Sequence, residues 1–386
     1  MNINQRVSAR GGVPAFQVMR VIDAVSKRRA AGLSVIDLSA GQPSTPAPEP
    51  VRKAAVDTIA ADRIGYTNAL GIAPLREAIA AHYAHTDSIA VAPDNVAVTT
   101  GSSSGFLYAF LAAFDVGDTV AMARPGYPAY RNMLAALGCQ VIELPCGPQT
   151  RFQPTVAHLE ALAEPPAGLV LASPANPTGT MVDAAELAAL TAWCDAHGTR
   201  LISDEIYHGI TFGVAAASAW RTSRNAVVVN SFSKYFSMTG WRIGWLLVPD
   251  DLFDSVDRLA GNFAICPPAL SQHAAVAAFD AYSELDANVA RYSANRAMAL
   301  EALPQIGLDR LAPADGAFYM YADVSRWTDD SLSFVFRALD ECGVALAPGV
   351  DFDPVDGGRF VRMCFAGDAG EIGQGIARLG QWLTSQ

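Results

Sequence analysis

Lysine is nearly absent from this chain: of 27 basic residues only Lys27, Lys53 and Lys234 are lysines, and arginine supplies the rest of the positive charge. Other absences exclude whole classes of function. There is no run of about 18 apolar residues, the length a membrane helix needs, and residues 1 to 12 (MNINQRVSARGG) lack the apolar centre of a secretion signal. The charge of −11, from 38 acidic and 27 basic residues, together with the lack of any basic tail or basic helix, argues against a nucleic-acid partner. No G-x-G-x-x-G is present for a dinucleotide, and no G-x-x-x-x-G-K-[ST] for a nucleotide hydrolase. The six cysteines form no C-x-x-C pair, so they read as reduced, mostly packed thiols, which fits a cytoplasmic location. Internal repeats and low-complexity tracts are also missing.

What is present suits a large globular core. With 51% hydrophobic and 17% charged residues over 386 positions, the chain is long enough for two domains. From about residue 96 to 250, short β-rich runs alternate with amphipathic stretches: VAVTT (96–100), TVAMA (119–123), QVIEL (140–144), GLVLA (168–172), RLIS (200–203), AVVVN (226–230) and WLLV (245–248). This alternation predicts an α/β fold, a mostly parallel sheet covered by helices on both faces. Residues 183–197 predict one of those helices, with Asp183 as N-cap, Glu186 completing a capping box and Gly198 as the stop. Beyond about residue 283 come a long helix (about 286–303), the strand-like segments GAFYMYADV and GRFVRMCFA, and a closing helix near 371–384, which together predict a smaller α+β domain. A helix over about 15–31 precedes a proline-rich crossing, VIDLSAGQPSTPAPEP.

Ligands of open α/β sheets bind beyond the carboxyl ends of the strands, so the polar residues there carry the chemistry. The run at 96–100 leads into Gly101-Ser102-Ser103-Ser104-Gly105 at the start of an apolar helix, where backbone N–H groups can meet a phosphate. The run at 168–172 leads into Ser173-Pro174-Ala175-Asn176-Pro177, in which Pro177 holds Asn176 extended. The run at 200–203 ends in Asp204-Glu205-Ile206-Tyr207, and an acid at the mouth of a buried strand needs a cation or a donor. Lys234 lies in SFSKYFSMTGWR, followed by Arg242 eight residues later. Arginine stays protonated at working pH, whereas a desolvated lysine can lose its proton and form an imine with an aldehyde.

These pieces together resemble the pyridoxal-phosphate-dependent aminotransferases of class I/II, the fold type I group. GQPSTPAP, GYTNALGIAPLREAIA, PGYPAY, SPANPTGT, SDEIYHGI, SFSKYFSMTGWRIGW, GAFY and RFVRMCF occur in the family's order between about Gly41 and Arg362. The resemblance implies an N-terminal segment (1–41) joining a small domain, a large cofactor-binding domain (42–283) and a small C-terminal domain (284–386). It implies that Lys234 binds the cofactor aldehyde as an imine and then moves the proton between substrate Cα and cofactor. Asp204 would face the pyridine nitrogen, Asn176 and Tyr207 the phenolic oxygen, and Tyr127 the ring face. Gly101, Ser102, Ser103, Ser231, Ser233 and Arg242 would hold the phosphate, with Tyr66 reaching it from the partner subunit of a homodimer. Arg362 would grip the substrate carboxylate, assisted by Asn176 and the backbone of Gly41. No metal is expected.

The activity so implied is transfer of an amino group from an L-amino acid to a 2-oxo acid by ping-pong kinetics. The alternative on the same scaffold is a C–S lyase, since the cofactor apparatus alone does not fix which bond breaks. One departure bears on substrate. Some aspartate-using relatives place a lysine just after the phosphate-turn glycine and serine, where this chain has Ser103. Phe16, Val18 and Ile22 offer an apolar wall instead, or pack as an ordinary amphipathic helix. Neutral or aromatic amino acids are therefore expected over aspartate.

Overall fold

The structure is a computed structural model that describes residues 7–62 and 64–386; residues 1–6, the first of both the 1–12 stretch and the 1–41 segment, lie outside the described residues. Strand β1 (Ile36–Asp37) is followed by seven strands of one sheet: β2 (Val96–Thr99), β3 (Thr119–Arg124), β4 (Gln140–Pro145), β5 (Gly168–Ala172), β6 (Arg200–Asp204), β7 (Val227–Ser231) and β8 (Gly244–Leu247). Their order is β2-β8-β7-β6-β5-β3-β4. Only β8 runs against the others, pairing antiparallel with both β2 and β7. All seven expected strands are present, but β6 and β7 each extend one residue further than their apolar runs, so that Asp204 and Ser231 are the last residues of their strands.

Both faces of this sheet are covered, and alternate residues of a strand therefore enter different cores. Val228, Leu169, Leu171 and Leu201 belong to one buried cluster, whereas Val227, Val229, Val170 and Ile202 belong to the other. The covering helices form largely where the apolar spacing predicts them. Ala184–His197 starts at Asp183, whose carboxylate accepts from the Glu186 N–H at 2.8 Å, and stops at Gly198 with φ +69°. The capping box is only half made: Glu186 accepts instead from the Val156 N–H at 2.9 Å, tying two helices together. The helix expected near 286–303 spans Tyr282–Gln305.

The C-terminal part carries β9 (Tyr319–Asp323), β10 (Val344–Ala345), β11 (Ala347–Pro348) and β12 (Phe360–Cys364), with β11-β12-β9 forming an antiparallel sheet. The N-terminal segment joins it through the parallel pair β1–β10 and through the Cys364 N–H, which donates to the Leu38 carbonyl at 2.8 Å. Among the described residues no helix is long and apolar enough to cross a membrane, and all six cysteines are unpaired.

Next to Lys234, Phe232 is fully buried, its ring centre 4.9 Å from those of Phe236 and Trp245 and 5.5 Å from that of Phe279. Phe232→Ala should cost about 3–5 kcal/mol, read as a lowered denaturation midpoint in urea with an unchanged slope.

Candidate active site

Five of the six parallel strands deliver polar residues to one place at their carboxyl ends. β2 is followed by Gly101–Ser103, β3 by Tyr127 and β5 by Asn176; β6 ends on Asp204; and β7 is followed by Ser233 and Lys234. Only the edge strand β4 contributes nothing. The cavity they surround holds about 310 Å³ and is closed by Ser39, Ala40 and Gly41, by Tyr319 and Arg362 of the antiparallel sheet, and by Phe352. Phe16, Val18, Met19 and Ile22 form its remaining wall, the last three from the helix Gln17–Ala30.

The loop carrying Lys234 is knitted to itself. The Met238 N–H donates to the Phe232 carbonyl at 3.0 Å, and the Thr239 hydroxyl to the Ser233 carbonyl at 2.8 Å. The Lys234 ammonium donates to the Gly41 carbonyl at 2.6 Å, and it lies 5.8 Å from the Tyr207 ring centre and 5.9 Å from that of Phe318. Burial disfavours its charge, and Arg362 and Arg242 add to the effect, so its pKa falls from 10.5 to about 8.

Asp204 is 5% exposed and accepts from the Tyr130 hydroxyl and, at 3.1 Å, from the Ile206 N–H. Burial raises its pKa to about 6, although both donors favour the charged form. Tyr207 meets Tyr319 hydroxyl to hydroxyl at 2.7 Å, and burial keeps Tyr127, Tyr207 and Tyr319 protonated above the usual phenol range.

Arg362 is 5% exposed. One Nη donates to Asn176 Oδ1 at 2.8 Å and the other to the Ser39 carbonyl at 2.6 Å, while Nε has no partner. Its guanidinium lies 4.4 Å from the Tyr319 ring centre and 4.9 Å from that of Phe352. Among the described residues no carboxylate pairs with Arg362 or with Arg242. A buried cation without a counter-ion costs on the order of several kcal/mol, so the Arg362 guanidinium marks a place for an anion; Arg242, which is exposed, offers an unpaired cation at the cavity's edge.

Of the residues expected from sequence, Gly41, Ser102, Ser103, Tyr127, Asn176, Asp204, Tyr207, Ser233, Lys234, Arg242 and Arg362 line this cavity. Three do not. Ser231 is buried behind the wall, accepting from the Ser233 N–H at 3.1 Å. Gly101, at φ +70°, packs on Arg242: a Cβ there would lie 2.5 Å from Arg242 Nη2, so glycine leaves the room the guanidinium occupies. Tyr66 is 84% exposed on the surface. The structure adds Ser39, Tyr130, Thr239, Tyr319 and Phe352. Tyr319 closes the GAFY motif, and Tyr130 ends PGYPAY one helical turn after Tyr127, so both had a signal in the sequence. Phe352 had none.

The sequence matches the family described as aminotransferase class I and II over residues 34–379. The chain belongs to this family. The aminotransferase is 58% identical, over 388 aligned residues that cover all of both chains, to the valine–pyruvate aminotransferase of Mycobacterium tuberculosis. Its fold superposes on a crystal structure of an aminotransferase from Mycobacterium tuberculosis with a TM-score of 0.97 at 58% identity, covering 99% of this chain and all of that one. On the aspartate aminotransferase of Thermus thermophilus with maleate the TM-score is 0.92 at 29% identity, covering 98% and 99% of the two chains. Family membership implies pyridoxal phosphate as cofactor, with amino acids and 2-oxo acids as substrates.

The lowered pKa of Lys234 has a kinetic signature. Only the free amine attacks an aldehyde, and a lowered pKa frees the amine at lower pH. The rate at which apo-aminotransferase captures pyridoxal phosphate, followed by absorbance, should therefore rise with pH to a midpoint near 8 rather than 10.5.

Proposed function

We propose that this aminotransferase moves the amino group of an L-amino acid with an uncharged, apolar side chain to a small 2-oxo acid such as pyruvate, using pyridoxal phosphate held at Lys234. The observation that carries the reading is Arg362, a buried guanidinium that pairs with no carboxylate among the described residues, in a cavity whose remaining wall is Phe16, Val18, Met19 and Ile22. The first recognises a carboxylate, and the second offers a side chain no cation. The name of the valine–pyruvate relative supports the same pairing.

The donor set fits the cofactor. Arg242, Ser102, Ser103 and Ser233 offer a cation and hydroxyls for a phosphate, with Ser231 behind Ser233 and Gly101 behind Arg242; Asp204 offers a buried carboxylate for a protonated ring nitrogen; Tyr207 offers a phenol and Tyr127 a ring face. When bound, pyridoxal phosphate supplies an electron sink that makes the substrate Cα proton acidic. The protein's own groups do the rest. Arg362 would fix the substrate by its carboxylate, with Asn176 held by Arg362 so that its amide nitrogen points away from the guanidinium. The Lys234 amine, its pKa brought down to about 8, would take the Cα proton and return it. Asp204, with a pKa of about 6, is mostly charged at neutral pH and can hold a proton on its ring partner. Two such half-reactions in turn give ping-pong kinetics.

Tyr66 does not reach the cavity of its own chain, and we propose a homodimer in which it approaches the partner's phosphate site. The chain would divide into a large unit, 42–283, and a small unit made of 1–41 with 284–386, closing on the substrate between them.

A half-reaction screen tests the function. The yellow enzyme mixed separately with L-valine, L-alanine and L-aspartate should bleach with the first two; bleaching by aspartate alone would refute the apolar-substrate reading. Arg362→Ala should raise the amino-acid KM about a hundredfold, the worth of a paired charge-assisted contact, in steady-state assays. Tyr130→Phe removes a donor that favours charged Asp204, so the Asp204 pKa should rise and the acid limb of the kcat/KM profile should lie at higher pH than in the unsubstituted enzyme.

A further inference from the structure

The segment after β11 does more than contribute Phe352 to the cavity. Asp351, just before it, is 5% exposed, and its Oδ1 accepts from the Gln17 N–H at 2.8 Å and its Oδ2 from the Val18 N–H at 2.7 Å. These are the first two N–H groups of the helix Gln17–Ala30, whose own N-cap residue, Phe16, has no acceptor side chain. The cap is thus supplied by a residue far along the chain, and the helix it caps carries Val18, Met19 and Ile22 into the cavity.

The segment is itself firmly anchored. Arg131 donates to the Asp351 carbonyl at 3.2 Å, and the Gly126 N–H to the Phe352 carbonyl at 3.0 Å; Arg124 lies 3.4 Å from Asp353. Gly349 and Gly357 abut backbone to backbone, so closely that a Cβ on either would collide with the other's carbonyl. Of Asp351, Arg131 binds only the carbonyl, its other Nη pairing with Glu143 at 2.7 Å, and among the described residues the Asp351 carboxylate forms no ion pair. Burial raises the pKa of this carboxyl, while the Gln17 and Val18 N–H groups at the helix N-terminus, and more distantly Arg362 and Arg131, favour its charge behind the apolar wall.

We propose that Asp351 is a specificity-determining residue that selects uncharged over acidic substrate side chains. It does so in two ways. Capping fixes the height and tilt of the wall formed by Val18 and Ile22 relative to Phe352, which sets the room for an apolar side chain. A fixed negative charge in a poorly solvated region repels an incoming second carboxylate. The proposal rests on the reading of the site as one for apolar amino acids.

The test compares valine with aspartate in holoenzyme carrying Asp351→Asn or Asp351→Ala. Asn removes the charge but keeps one acceptor, so its valine-to-aspartate ratio of kcat/KM should fall about tenfold, mainly through better use of aspartate. Ala also removes the cap, and the valine KM should rise about tenfold, the equivalent of a lost N-cap, with kcat and cofactor absorbance per subunit changed less. A wild-type ratio in both variants overturns the proposal. So does loss of cofactor or of folded secondary structure in Asp351→Asn, which would make the residue purely structural; should only the Ala variant fail to fold, the Asn variant decides. A wild-type enzyme that prefers aspartate to valine overturns the apolar-substrate reading instead, whatever the variants do.

Discussion

The site depends on keeping Lys234, Asp204 and Arg362 in one cavity without letting them neutralise one another. Lys234 donates to a carbonyl, Asp204 accepts from a phenol and an amide, and Arg362 donates to an amide oxygen and a carbonyl. Each charge meets a neutral dipole where a salt bridge would have been more stabilising. The result is a lysine whose pKa comes down and an aspartate whose pKa goes up, both for the same reason of burial. Such an arrangement is unfavourable by itself and persists because the surrounding sheet and aromatic core over-determine it.

The sheet makes that possible by geometry. Parallel strands end on the same edge, so residues far apart in sequence arrive together: Ser102, Tyr127, Asn176, Asp204 and Lys234 each lie at or just beyond the carboxyl end of a strand. The reversal of β8 serves the same end. Running antiparallel beside β7, it brings Arg242 and Gly244 back to the strand ends, where Arg242 packs on Gly101 and lies 3.5 Å from Ser233. One hairpin-like return thus supplies both the lysine and the Arg242 guanidinium.

That geometry also explains what the sequence reveals. Residues at strand ends are legible because an apolar run stops and a polar residue follows within a few positions, as with Asp204 and Asn176. Seven strands and most of their neighbouring helices can be read in this way, to within a residue or two. Tyr130 and Tyr319 are harder: their motifs mark them, but hydropathy alone cannot tell a tyrosine in an apolar helix or strand from core until the fold turns its hydroxyl towards Asp204 or Tyr207. Phe352 and Asp351 are not legible at all. They sit in an irregular segment, Asp351-Phe352-Asp353-Pro354, whose composition reads as an ordinary turn, and their partners Gln17, Gly126 and Arg362 come from three separate parts of the chain. The half-made capping box shows the same limit: Asp183 acts locally and was predictable, while Glu186 found a partner in another helix.

The scarcity of lysine acquires a physical meaning in this light. Lys27 and Lys53 each pair with an aspartate four residues away, on helix faces where both partners are mostly exposed, and there arginine would do as well. Lys234 is different in kind. A guanidinium in its place would remain charged in the same cavity, beside Arg242 and Arg362, and would be repelled by both. An amine escapes that repulsion by giving up its proton, and the neutral form that burial favours is also the form that can attack an aldehyde or remove a proton from carbon. The desolvation that makes the position costly for any cation is therefore what makes lysine reactive there, so the electrostatics of the cavity and its chemistry follow from one cause.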